Sequence, residues 1–468
     1  MQQAIKRDNS LDALRGIAIL LMVLSSSIAF NILPGWMYHA QVPPPTHQFN
    51  PDAPGITWVD LVFPFFLFTM GAAIPLALNK KISQAVSGFK ISYSILKRFV
   101  LLVFFALFTM HTRAWVLSPN PQQIDYLISI LSFVLMFAMY ADFESKFGKK
   151  TDLIIKLIGF SGGILILVFG FSEGKSFSKS NPDIIMLVLA NMALFGTFIW
   201  WFTNKNVWLR IGILPFIMAV FLSSKIDGSI NQVIFNFTPA AWLYKFYYLK
   251  YLFIILPGTL VGEWLLKEAK EGAALTSNIN KLYSYILPIS LSIVVVNICF
   301  LYSRNLELNF IINIVLVALL LFLASKIKAQ SPNNLVVKFI YAGSYLLFLG
   351  LFFEAFEGGI KKDFSTYSYY FVCTGLAFLT LLALHIIDKF SVLVAVFKGL
   401  ADVGKNPMIA YTAGNLLLIP LLRITGAEEY LNLLSNNFFE GLLRGLLFTG
   451  VVAAITIFFT TRRVFWKT

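Results

Sequence analysis

Apolar runs about 20 residues long, separated by short polar stretches, dominate this chain from end to end. They cover 12–33, 58–79, 97–117, 124–141, 153–173, 184–202, 207–223, 247–266, 282–302, 308–325, 339–356, 365–387, 406–423 and 441–461. A helix rises 1.5 Å per residue, so about 20 apolar residues cross a bilayer's hydrocarbon core. Inside hydrocarbon the backbone finds no water, which leaves helices as the element for runs of this kind. The pattern predicts an all-α polytopic transmembrane bundle of about 12–14 crossings. The runs at 207–223 and 406–423 are short, and 390–400 has the character of an interfacial helix. No composition shift marks a soluble domain, so 1–468 is taken as a single integral membrane domain. No internal repeat is evident, which disfavours the inverted-repeat transporters.

Composition agrees with the pattern. The chain is 58% hydrophobic and 13% charged, against about 25% charged in soluble domains. Its net charge is +14. In a soluble protein that would raise nucleic acid as a partner; here the bias of cytoplasmic loops toward Lys and Arg accounts for it, and no nucleic acid is expected. With Lys6 and Arg7 inside, alternate connections hold Lys80, Lys81, Lys90, Lys97 and Arg98, then Lys205, Lys267 and Lys281, then Lys326, Lys328 and Lys338, then Lys389, Lys398 and Lys405. Arg462, Arg463 and Lys467 follow the last run. The 34–57 and 424–439 connections hold no Lys or Arg. Both termini are therefore expected in the cytoplasm and the 34–57 loop outside. The N-terminal segment resembles a signal peptide in its basic start, but Asp12 and Arg15 interrupt it, and a retained first helix is expected. Cys299 and Cys373 both lie in apolar runs, so neither a disulfide nor a metal site is expected.

The 34–57 loop is where chemistry concentrates. It reads PGWMYHAQVPPPTHQFNPDAPGIT and carries two of the four histidines, His39 and His47. Its prolines stiffen it and lower the entropy of the free loop. A stiff loop can hold an imidazole in place for general-base or nucleophilic work; two solvated histidines on a rigid surface loop are the plainer alternative. The flanking runs hold Asp12 and Arg15, three residues apart on one helical face, and Asp60 near the start of the second run. Charges at such depth face a partner or an internal pathway. Asp60 also stands where negative charge favours a helix N-terminus.

The succession DALRGIAILLMVL, an outside loop with His, then DLVFPFFLFTMG resembles the heparan-α-glucosaminide N-acetyltransferase family of transmembrane acyltransferases. The first hairpin, 10–80, carries the specific part. KKDFSTYSYYFVCTG resembles that family's NK-x-LW-x-x-SY segment, GKNPMIAYTAGNLL its late G-x-N-x-x-x-x-Y helix, and LPGTLVGEW its P-x-x-x-x-G segment. A bacterial subgroup of unknown function with a longer proline-rich loop is closer still.

The resemblance implies transfer of an acetyl or other acyl group from cytosolic acetyl-CoA, as co-substrate, to the O or N of an extracytoplasmic glycan or amino sugar. It also implies residence in a bacterial inner membrane, and it leaves a homodimer open. A loop histidine would act as general base or acyl carrier, with Asp60 beside it. His39 matches by its neighbours Trp36, Tyr38 and Ala40; His47 matches by its distance to Asp60 and by Phe49–Asn50. The family's asparagine near the end of the first helix falls near Ser26, and Asn31 or Asn50 is left to take its role. Coenzyme A carries phosphates, so Arg15, Lys97, Arg98 and Lys405 are the candidates to hold it. Asp12, Arg113, Glu263 and Asn406 complete the intramembrane polar set, as functional or helix-linking groups. A multi-spanning transporter or flippase of an envelope component is the alternative.

Overall fold

A computed structural model describes residues 9–172, 174–271, 277–391 and 393–468. Lys6 and Arg7, on which the orientation argument began, lie outside the described residues. The long helices are α1 (Asn9–Ser27), α2 (Trp58–Ser83), α3 (Gly88–His111), α4 (Gln123–Tyr140), α5 (Glu144–Phe169), α6 (Ile184–Thr203), α7 (Val207–Ser223) and α8 (Leu252–Glu271). They continue as α9 (Ser277–Tyr302), α10 (Leu306–Gln330), α11 (Leu335–Phe356), α12 (Tyr367–Phe390), α13 (Val394–Gly404), α14 (Pro407–Thr425) and α15 (Phe438–Thr461). No strand occurs among the described residues. Among the described residues, thirteen helices are long and apolar enough to cross a membrane. The chain is an integral membrane protein with a polytopic helical fold.

The fourteenth expected crossing, α7, has 17 residues, the low end of what spans a bilayer. Counting it, the described residues hold fourteen long apolar helices, an even number, in keeping with the expected alternation of basic residues. We call the end with the lysine-rich connections the basic end and the opposite one the outer end. The expected interfacial helix is α13, which lies against α1. There Gly16 and Gly404 bring two backbones together: a Cβ on Gly404 would stand 1.8 Å from the Asp12 carbonyl oxygen, and one on Gly16 1.9 Å from that of Leu400.

At the centre stand α12 and α2, whose spans are 89% and 78% buried. Both pack on α8, and the α2–α8 seam is close because Gly71, Gly258 and Gly262 each face a backbone carbonyl of the other helix. Proline inside a helix orphans the carbonyl four residues back, which in hydrocarbon must find another donor. In α2, Pro64 frees the Asp60 carbonyl, and the Tyr369 hydroxyl of α12 donates to it at 2.8 Å. In α8, Pro257 frees the Phe253 carbonyl, and the Thr374 hydroxyl of α12 donates at 3.4 Å. The central helix thus carries the polar groups that repair its neighbours.

Candidate functional site

The site begins with how the 34–57 loop is pinned. The Tyr38 hydroxyl donates to the Ala29 carbonyl at 2.7 Å and accepts from the Leu33 amide at 3.2 Å, folding the chain back on the end of α1. Burial pushes the Tyr38 hydroxyl up from its ordinary value, so it stays protonated as a donor. The Thr57 hydroxyl donates to the Tyr38 carbonyl at 2.7 Å, tying the start of the loop to its end. Thr57 and Asp60 then form a capping box: the Val59 amide donates to Thr57 Oγ1, and the Thr57 amide to Asp60 Oδ2 at 2.9 Å. One local device starts α2 and holds the Asp60 carboxylate still.

His39 lies over that carboxylate. Its Nδ1 is 2.8 Å from Asp60 Oδ1, while Asp60 Oδ2 accepts from the amides of Thr57 and Ala40. The carboxylate side chain is 2% exposed and the imidazole 39%. An ionised carboxylate only accepts, so Nδ1 carries the hydrogen and Nε2 keeps a lone pair. This buried-acid, half-exposed imidazole arrangement can orient a general base or a nucleophile.

A third group arrives from far along the chain. Lys362, in the connection between α11 and α12, places Nζ 3.1 Å from His39 Nδ1, 3.4 Å from His39 Nε2 and 3.9 Å from Asp60 Oδ1. Its neighbours are fixed. The Asp363 amide donates to Gln41 Oε1 at 2.8 Å, and Gln41 Nε2 donates back to the Asp363 carbonyl. The Gly55 amide donates to the Ile360 carbonyl at 2.7 Å. The two outer loops are therefore one bonded unit.

The family model described as Domain of unknown function (DUF5009) matches residues 7–265, more than half of the 468-residue chain. The chain belongs to that family. No curated protein matches it. The DUF5009 match takes in α1, the His39 loop and α2, and ends before Lys362 and the helix that seats it.

The structure separates the two loop histidines of this DUF5009 member. His47 does not reach Asp60: its ring stands edge-on between Phe30 at 4.9 Å and Tyr38 at 4.6 Å, with neither nitrogen hydrogen-bonded. Asn50 is exposed, and its side-chain oxygen accepts from the Asp52 amide at 3.0 Å, a turn-forming role.

The basic-end candidates also divide. Arg15 spends its guanidinium on Asp12 at 3.2 Å and on the carbonyls of Gly404 and Thr69 at 3.3 Å each, clamping α1, α13 and α2. Lys405 pairs with Asp402 at 2.8 Å, and Lys97 is exposed. Arg98 differs. It lines a cavity of about 170 Å³ between α2, α3 and α6, shared with Lys81, Ser94 and Thr197. Its Nε is buried without a hydrogen-bond partner.

The remaining polar residues link helices. Arg113 holds Asp183 at 2.7 Å, and the Tyr411 hydroxyl donates to the same carboxylate at 2.8 Å. Asn406 donates to the Val464 carbonyl at 2.7 Å and accepts from the Trp466 amide at 3.3 Å. Glu263 accepts from Trp200 Nε1 at 2.7 Å and pairs at 2.7 Å with Arg210, whose side chain is fully buried. Gln41, Tyr369 and Arg210 are the residues that sequence reasoning did not single out; Lys362 it noted only as a charge just after the run of α11, with no tie to the histidine loop. The KKDFSTYSYY segment held the one available signal for Lys362.

Proposed function

We propose that the protein is a membrane-bound acyltransferase that moves an acetyl or related acyl group from cytosolic acyl-CoA to an extracytoplasmic glycan or amino-sugar acceptor. The observation that carries this is the 2.8 Å contact between His39 Nδ1 and the buried Asp60 carboxylate, which leaves Nε2, with Lys362 Nζ 3.4 Å away, as the nitrogen facing a substrate. A neutral imidazole oriented by a carboxylate can take the proton of an attacking hydroxyl or amine, or take the acyl group itself. The resemblance of the first hairpin to the heparan-α-glucosaminide N-acetyltransferases supports the same chemistry; it leaves His39 and His47 open, and the Asp60 contact favours His39.

At the basic end, Arg98 and Lys81 face one cavity, and neither forms an ion pair among the described residues. Two such cations suit the phosphates of a coenzyme A thioester. The Arg210–Glu263 pair, by contrast, is saturated by Trp200, Thr203 and Thr259, as befits a helix lock rather than a transport pathway.

The test is transfer of labelled acetyl from acetyl-CoA to a panel of amino sugars and glycans by the full chain in proteoliposomes. Transfer that disappears in His39→Ala supports the reading. A wild-type protein that transfers to no acceptor, or a His39→Ala variant at full rate, would sink it.

A further inference from the structure

We propose that Lys362 is a catalytic residue of this site: its ammonium supplies the positive charge that stabilises the oxyanion formed when the thioester carbonyl is attacked beside His39 Nε2. The inference rests on the acyltransferase reading above and deepens it.

The geometry argues against a merely charge-balancing lysine. Asp60 already accepts from His39 Nδ1 and from the two backbone amides of Thr57 and Ala40. Lys362 Nζ, at 3.9 Å from Asp60 Oδ1, is beyond hydrogen-bond range of it. Its nearest polar atoms are the two ring nitrogens, at 3.1 and 3.4 Å. The near-equal distances put the ammonium beside the ring and out of line with either lone pair. Nδ1 has given its hydrogen to Asp60, so it has no lone pair to offer. The ammonium is left with N–H bonds unspent, and its side chain is 22% exposed.

An oxyanion donor must also be rigid, because preorganised charge costs no reorganisation at the moment of reaction. A lysine on a free loop would fail there. This one is flanked by anchors on both sides: the Lys361 amide donates to Thr366 Oγ1 at 3.0 Å, the Thr366 amide donates to the Lys361 carbonyl at 3.1 Å, and Gln41 clamps Asp363. Beneath it, Ser365 is hydrogen-bonded to the hydroxyls of Tyr247 and Tyr370, both at 2.7 Å. The connection is built to aim one ammonium.

In the transfer step the acceptor's O–H or N–H proton moves to His39 Nε2 as its heteroatom bonds the thioester carbonyl carbon. The C=O pair moves onto oxygen, where a donor about 3 Å away counters it. On collapse the C=O bond re-forms, the C–S bond breaks, and the coenzyme A thiolate takes the proton from Nε2. If the imidazole is acylated first, Nε2 bonds the carbonyl carbon and the C–S bond breaks to release the coenzyme A thiolate; the acceptor heteroatom then bonds that carbon, the C–Nε2 bond breaks, and the acceptor's proton passes to the thiolate, with an oxyanion formed and collapsed at each stage. Lys362 serves either route, because a carbonyl within reach of Nε2 is also within reach of Nζ.

The test is steady-state transfer by the full chain in proteoliposomes, with Lys362→Met, Lys362→Arg, Lys361→Met as a neighbouring control, His39→Ala, and the Lys362→Met/His39→Ala pair. We expect Lys362→Met to lower kcat roughly 100- to 1000-fold with the thioester KM changed by less than about threefold. Lys362→Arg should recover part of the loss, and Lys361→Met should keep the wild-type rate. The double variant should be no slower than His39→Ala alone, since groups acting as a unit are not additive. Thermal unfolding of each purified variant identifies any that fail to fold, and for those Lys362→Gln is read in place of Lys362→Met. A His39-dependent wild-type rate that Lys362→Met and Lys362→Gln leave unchanged, or a loss confined to KM, overturns the inference alone. A wild-type rate that does not depend on His39 overturns the acyltransferase reading with it.

Discussion

Gln41 holds both backbone groups of Asp363, a residue 322 positions away, with the Asp363 amide donating at 2.8 Å and the carbonyl accepting from the same carboxamide. This is the weld between the histidine loop and the lysine loop. Replacing Gln41 with Leu keeps its bulk and removes both hydrogen bonds to the Asp363 backbone. We expect a stability loss of about 1–3 kcal/mol, measured as a fall in thermal unfolding temperature in detergent. Transfer should fall roughly 10- to 100-fold as Lys362 drifts from His39. A Gln41→Leu protein with wild-type rate would mean that Lys362 needs no such support.

The two loop histidines should behave oppositely. His39→Ala is expected to abolish detectable acyl transfer while leaving the unfolding temperature near wild type, because its imidazole is 39% exposed. His47→Ala removes edge-on contacts with Phe30 and Tyr38, each kind worth about 0.5–1.5 kcal/mol, and should lower stability while transfer continues. Rates and melting curves on the same two preparations decide it.

Pro64 and Tyr369 should be energetically coupled. Tyr369→Phe leaves the carbonyl freed by Pro64 without its donor, at a cost of about 1–3 kcal/mol. Pro64→Ala restores a backbone N–H at that turn of α2. The double variant is therefore expected to lose less than the sum of the single ones, by about 1 kcal/mol in a double-mutant cycle. Strict additivity would mean that the hydroxyl does not repair the helix.

Arg210 and Glu263 form a desolvated pair, and breaking it from one side leaves a charge in an apolar surround. Arg210→Met is expected to cost about 3–5 kcal/mol and to reduce the folded yield. Arg210→Met/Glu263→Met should recover much of that loss. Equal stability of wild type and Arg210→Met would remove this pair as a structural lock.

Arg98→Ala tests the basic-end cavity separately from the outer-end chemistry. Loss of a charged contact to a phosphate should raise the KM for acetyl-CoA roughly tenfold, with kcat little changed. Lys97→Ala, altering an exposed neighbour, should leave both constants alone.

The helices were legible in the sequence because a crossing leaves a signature about 20 residues long that no turn chemistry can blur. The run at 207–223 appears as a helix with those same bounds. What the pattern could not convey was which helices sit inside. The runs of α12 and α10 are equally apolar to the eye, yet 89% of the first span is buried against 28% of the second. In the site, Asp60 stood out as a charge next to a helix start, and the proline-rich loop drew attention to its histidines. The choice between His39 and His47 was not legible, because it turns on the Tyr38 hydroxyl reaching back to Ala29 and the Thr57 hydroxyl reaching Tyr38. The place of Lys362 beside His39 was hidden for a related reason. The lysine stands 323 residues from His39, and only the packing of α12 beside α2 brings the loops together.

The contact of Gly16 with Gly404 has a mechanical consequence for the opposite surface. With Arg15 bonded to the carbonyls of Gly404 and Thr69, the foot of α1 is a fulcrum with no slack. Its 19 residues make a rod of about 28 Å ending where the histidine loop begins. From Gly16 to the helix end at Ser27 the arm is about 17 Å, so a tilt of about 5° at that fulcrum swings the far end by about 1.5 Å. That displacement is comparable to the difference between a formed and a broken contact at His39. The packing at one end of α1 thereby bears on where the histidine loop stands at the other.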